Sequence, residues 1–231
     1  MANILKTFAL VLIVSILFFA CGCQEKKKKT QETALNKISS ADTEISKTAL
    51  RKRINRKYTD ADAHYELGKI YQADGLWEKA ETEYHIATSF DPAHWRAEAA
   101  KVKMLIQKGD KPRAELTAEQ AMNRAGVSAE SSLLLGKAFQ REFLDEKAVT
   151  CYHQALTLAP NSSALHRQIG YYYLSKNQNV RAEEYLRRSF QLNPYQPEVA
   201  GELGRMGVVV QIPRKRQKNT KKLDKMLNSK D

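Results

Sequence analysis

Residues 135–160 read LGKAFQREFLDEKAVTCYHQALTLAP, and within them Leu135-Gly136-x-x-Phe139, Ala148-x-x-x-Tyr152-x-x-Ala155 and Pro160 set a pattern. Two steps of 34 residues back it stands as Leu67-Gly68-x-x-Tyr71, Ala80-x-x-x-Tyr84-x-x-Ala87 and Pro92. One step on it stands as Ile169-Gly170-x-x-Tyr173, Ala182-x-x-x-Leu186 and Pro194. A period of this length, with small and aromatic residues at fixed offsets, predicts stacked helical hairpins. The small residues let two helices approach closely, and the leucines and aromatics fill the spaces left between backbones. Each proline falls where the second helix of a hairpin has to stop, because it lacks an N–H and restricts the residue before it.

These motifs resemble the tetratricopeptide repeat (TPR) family. Counted from Ala61, the repeats run 61–94, 95–128, 129–162 and 163–196, with a partial fifth at 197–207. The second departs most from the pattern: Lys101, Val102, Ala118 and Gly126 stand where leucine, glycine, an aromatic and proline are expected. Leu105, Gly109, Ala114 and Ala121 hold its register, so it reads as a degenerate repeat and not an inserted loop. The resemblance implies an all-α, TPR-type helical-hairpin solenoid of about four and a half repeats over 61–207.

The N-terminus is a separate object. Thr7–Ala20 is an unbroken apolar run, shorter than the roughly 20 residues of a membrane-spanning helix but suited to the apolar region of a signal peptide. The following Phe19-Ala20-Cys21-Gly22-Cys23 resembles a bacterial lipobox, in which a small residue precedes the cysteine that is lipidated. Two frames fit, with cleavage before Cys21 or before Cys23, so residues 1–22 are read as signal peptide and lipobox. Neither frame has leucine three residues before its cysteine; a secreted protein cleaved near Ala20 and an uncleaved anchor helix are the other readings. Lipidation, with palmitate among the acyl chains, implies a bacterial cell-envelope protein anchored to the membrane, since several chains make anchoring stable. No aspartate follows either cysteine, which in a Gram-negative cell resembles the pattern for the periplasmic side of the outer membrane. Cys151 is the one other cysteine, and it reads as a packing thiol on a helix.

The net charge of +12 is segregated. Residues 24–60 carry 11 Lys/Arg against 5 Asp/Glu and residues 214–231 carry 8 against 2, whereas 61–213 is balanced at 18 against 19. Residues 23–60 therefore read as a basic tether, with Ile45, Ala49 and Ile54 suggesting a helix near its end. Residues 208–231 read as a basic, disordered tail. Solubility and attraction to anionic headgroups are one reading of both arms, and docking to an acidic protein or polymer is the other. The export signal and the lack of interleaved aromatics argue against a nucleic-acid partner.

The resemblance also implies a concave surface lined by the first helix of each repeat. Carried onto this chain, it points to Tyr65, Lys69, Lys103, Leu133, Lys137, Arg141, Arg167, Tyr171 and Arg205: cations with apolar side chains between them. Such a surface suits a protein or peptide with acidic and apolar groups. The asparagines of the carboxylate-clamp type of TPR are missing from the corresponding places. No His-Glu-x-x-His, Gly-rich phosphate loop or Gly-x-Ser-x-Gly is present, so no enzyme activity, cofactor or metal is expected. Two function classes follow. One is a lipid-anchored envelope scaffold for a protein partner, similar in layout to TPR lipoproteins of type IV pilus assembly. The other is an accessory that binds an anionic polymer, peptidoglycan or polysaccharide, through arms and groove.

Overall fold

The computed structural model describes residues 42–213. The signal-peptide stretch, the candidate lipidation residues Cys21 and Cys23, and residues 214–231 lie outside the described residues. Every regular element among the described residues is an α-helix. The order is α1 over 42–56, then α2 Ala61–Ala73, α3 Trp77–Phe90, α4 Trp95–Lys108, α5 Lys111–Ala125, α6 Ala129–Arg141, α7 Asp145–Leu158, α8 Ser163–Ser175, α9 Asn179–Leu192 and α10 Pro197–Arg205. The all-α helical repeat expected from the 34-residue spacing is the fold of the chain. Two compact units divide between Pro92 and Ala93, one holding α1–α3 and the other α4–α10.

In the first unit α2 and α3 form a hairpin. A Cβ added at Gly68 would lie 2.8 Å from the Tyr84 ring, so only glycine lets the ring lie flat against α2. The Tyr84 hydroxyl then donates to Gln72 at the far end of the same helix. Helix α1 lies against this hairpin through the buried Ile54. Its basic cluster does more than face solvent. The Arg51 guanidinium donates to the Tyr71 hydroxyl at 2.9 Å, Arg53 forks onto both oxygens of Asp60, and Lys47 reaches Asp74 at 2.6 Å.

The second unit repeats the hairpin three times. In α6–α7 a Cβ at Gly136 would fall 2.7 Å from Tyr152, whose hydroxyl donates to Gln140 at 2.6 Å. In α8–α9 a Cβ at Gly170 would fall 2.6 Å from Leu186. The degenerate hairpin α4–α5 exchanges the sizes at the same two places. Val102 stands for the glycine and Ala118 for the aromatic, and both are wholly buried. Small against large is replaced by medium against small, and neither residue is left open to solvent. The buried Glu98 of α4 is also held by Arg124 of α5.

Turn chemistry repeats as well. Asp60, Ser128 and Ser162 each accept the N–H of the residue three positions on, capping α2, α6 and α8. Within each hairpin the link passes through a left-handed residue: Gly75 (φ 72°), Gly109 (φ 91°), Phe143 (φ 60°) and Asn177 (φ 57°). The next N–H bonds back five residues, as Leu76 to Tyr71, Asp110 to Leu105, Leu144 to Phe139 and Gln178 to Tyr173. Helices α3, α7 and α9 end two residues before Pro92, Pro160 and Pro194.

The last helix stops early. Gly207 takes φ 81° and Val208 donates to the Leu203 carbonyl, so α10 has 9 residues against the 13 of α2, α6 and α8. Val208, 7% exposed, then packs with Leu186, Phe190, Val199 and Leu203. The expected boundary of a disordered tail at residue 208 is corrected by this contact, because Val208 buries its side chain in the end of the core.

Phe143 is the costly member of the turn series: a bulky side chain in a left-handed conformation, and 77% exposed. Phe143→Gly should raise stability by up to about 1 kcal/mol, despite the greater freedom glycine brings to the unfolded chain. Urea unfolding monitored by circular dichroism checks this, and a fall in the midpoint would show that the ring contributes packing.

Candidate partner-binding face

The surface expected to meet a partner is carried by α2 in the first unit and by α4, α6, α8 and α10 in the second. Each unit stands on its own here. In the first, Tyr65 departs from expectation. It is 3% exposed, with the Tyr84 ring at 6.2 Å and the Lys69 ammonium 5.5 Å over its face, so it is a core residue and offers no ring to a partner. Lys69 itself is exposed but pairs with Glu66 at 3.5 Å, one turn back on the same helix.

In the second unit Lys103 and Lys137 stand at the same place in α4 and α6, both half-buried, with the exposed Arg141 one turn beyond Lys137. Among the described residues none of the three forms an ion pair, in contrast to Lys69 and Arg205. Leu133 is half-buried one turn before Lys137, and its neighbour Leu134 is exposed. These side chains make a basic and apolar surface whose lysine stems can cover apolar area while the ammonium stays in water.

Towards α10 the character changes. Arg167 is half-buried and donates to the side-chain amide oxygen (Oε1) of Gln196 at 3.2 Å. Gln196 is itself buried and donates to the Ser189 and Asn193 carbonyls. The expectation of Arg167 as an exposed groove cation is therefore corrected: it fastens α8 to the segment leading into α10. Arg205 pairs with Glu202 at 2.9 Å. Tyr171 is half-buried, and its hydroxyl is harder to ionise than usual because of burial, with the carboxylates of Glu202 and Glu198 adding to the effect. Arg167 and Arg205 oppose it from the same neighbourhood. Sequence reasoning omitted Glu198 and Glu202, although their places in the partial fifth repeat lie on the same helix as Arg205.

Two histidines away from this face make the same backbone contact. His64 and His166 occupy the same place in α2 and α8, and in each the Nε2 meets the carbonyl six residues back, Tyr58 or Pro160, at 2.9 Å. His64 Nδ1 reaches Glu83 at 2.6 Å, whereas His166 faces Tyr185 in the corresponding place and its Nδ1 is buried without a partner. Burial pushes the Cys151 thiol up to about 12, far from the range in which a thiolate serves as nucleophile. Among the described residues no group of three or more His, Cys, Asp or Glu could hold a metal ion, and no helix is long and apolar enough to cross a membrane.

No family model matches the chain. The chain is similar to Tetratricopeptide repeat protein 6 of Homo sapiens, 27% identical over 135 residues that make up 57% of this chain and 25% of the human one. It thus spans about a quarter of that protein's length. The likeness supports the tetratricopeptide reading of the repeats. Among solved structures, Pseudomonas aeruginosa pilF is 25% identical over 65% of this chain and 72% of its own, with a TM-score of 0.35. YrrB, described as a TPR protein with an unusual peptide-binding site, is 15% identical over 72% of this chain and 86% of its own, with a TM-score of 0.38.

Proposed function

We propose that this chain is a non-catalytic scaffold, lipid-anchored in a bacterial cell envelope, that binds a protein or peptide through the basic and apolar face of α4 and α6. The observation that carries the reading is the set Lys103, Lys137 and Arg141, without an ion pair among the described residues, beside Leu133 and Leu134. A polypeptide presenting carboxylates and one or two apolar anchors satisfies both parts of that surface, with electrostatics speeding and orienting its approach. Lys69 and Arg205 contribute less, because each already has a carboxylate from its own helix. The layout of a repeat domain behind a lipobox suits assembly of an envelope machine, of which a type IV pilus is one example.

The charge reversal that tests this leaves Arg167 alone, since a carboxylate there would sit beside the buried Gln196. Lys103→Glu, Lys137→Glu and Arg141→Glu together should leave the helical content unchanged. A photo-crosslinker in place of Leu134 in living cells should trap a discrete protein adduct, and the reversal should lower its yield at least tenfold. Adducts that persist undiminished through the reversal would overturn the reading. Salt-sensitive binding of purified envelope polymer, with no protein adduct, would favour the polymer reading instead.

The anchor has its own test. Cys21→Ser with Cys23→Ser should abolish metabolic labelling with palmitate and release the chain from the membrane fraction, and each single change identifies the frame. Continued labelling of the double variant would exclude lipidation here.

A further inference from the structure

The turn between α6 and α7 carries a side chain that its own conformation disfavours. Gly75, Gly109 and Asn177 hold the left-handed place in the other hairpins, and Phe143 holds it here with its ring exposed. Residues kept in this conformation against their preference cluster at sites that clamp a ligand. The ring stands at the edge of a hollow of about 460 Å3 between this turn and α4–α5. That volume lies within the roughly 300–1,000 Å3 of clefts that take ligands. Ile106 of α4, Ala114 of α5 and Leu144 supply the rest of its apolar lining.

We propose that this hollow takes a large apolar side chain of the same acidic polypeptide segment that binds over α4 and α6. The inference rests on the function proposed above and says where the apolar part of that partner goes. The two surfaces are continuous. Ile106 follows Lys103 by three residues in α4, and α6 ends at Arg141, two residues before Phe143. Lys137 and Arg141 are separated by about 6 Å along the helix, four residues at about 1.5 Å each. An extended chain returns to the same side every second residue, at about 6.6 Å. Carboxylates on alternate residues therefore meet Lys137 and Arg141, and the next side chain on that side passes the end of α6 into the hollow.

The charges at the rim suit an uncharged side chain there. Lys147 donates to both oxygens of Glu115 at 2.7 Å, and Asp145 pairs with Lys176 at 2.8 Å, so each of these charges is already answered. Lys111 and Glu146 also line the hollow, are exposed and of opposite sign, and form no ion pair among the described residues. Glu146 disfavours a third carboxylate at this point. The partner is thus acidic where it lies over Lys103, Lys137 and Arg141, and apolar where it leaves them.

Photo-crosslinking of the full chain in living cells tests this, with the crosslinker in place of Leu134 on the basic face or of Lys111 at the rim of the hollow. Both should trap the same protein. Mass spectrometry should map the two adducts to one continuous stretch, with alternate acidic residues and a large apolar residue at the end caught from Lys111. Phe143→Asn removes the ring and keeps the left-handed turn, as Asn177 does in the next hairpin. It should lower the yield of both adducts at least fivefold while circular dichroism stays unchanged. A Leu134 adduct that the charge reversal weakens but Phe143→Asn leaves at full yield would overturn the hollow and keep the function proposed above. The hollow would equally be overturned if Lys111 trapped nothing, a different protein, a second copy of this chain, or a stretch without a large apolar residue. The lack of any Leu134 adduct would overturn both.

Discussion

The fold depends on the meeting of a small residue with a large one inside each hairpin. Gly68 under Tyr84, Gly136 under Tyr152 and Gly170 under Leu186 are the same contact made three times. Burying a side chain of this size contributes roughly 1.5–3 kcal/mol, and it can do so only where the opposite backbone yields the space. The two tyrosines also tie the far end of the first helix, through Gln72 and Gln140. The hairpin angle therefore follows from volume, and the direction of each first helix follows from the hairpin. Lys103 and Lys137 come to equivalent places for that reason, although no contact between them brings them there.

The same contact divides the chain into inward and outward residues, and the outward set is less uniform than its composition suggests. Carboxylates one turn back on the same helix neutralise Lys69 and Arg205, and pairs of this kind contribute little to stability when exposed. Arg167 is held by a buried amide. Over α4 and α6, by contrast, Lys103, Lys137 and Arg141 form no ion pair among the described residues, and it is there that the proposed function puts the partner.

Much of the architecture was legible because glycine, alanine, aromatics and proline each answer a local requirement that recurs at a fixed interval. The misreadings come from requirements that cross the interval. Tyr65 lies at an outward place by analogy, but the Lys69 side chain and the Tyr84 ring close over it, and neither is visible from its own position. Val102 and Ala118 look like two separate defects in sequence, whereas both are wholly buried at the two places that form the small-against-large contact in the other hairpins. Arg167 reads as one more groove cation until Gln196, 29 residues on, supplies its acceptor. Val208 looked like the start of the tail because a single valine after a glycine carries no period to read.

The central claim is that the two residues of each hairpin contact are chosen jointly for volume. A double-mutant cycle on Gly136→Val and Tyr152→Ala, which writes the Val102 and Ala118 pair of the second repeat into the third, tests it most directly. Guanidinium unfolding should show each single change strongly destabilising, by about 1–3 kcal/mol for the added bulk and about 3–5 kcal/mol for the lost ring. The double variant should be more stable than the sum of the two losses by more than about 1 kcal/mol, because valine fills space that the tyrosine has vacated. Losses that simply add, within about 0.5 kcal/mol, would mean that the two positions do not share one volume and would contradict the account.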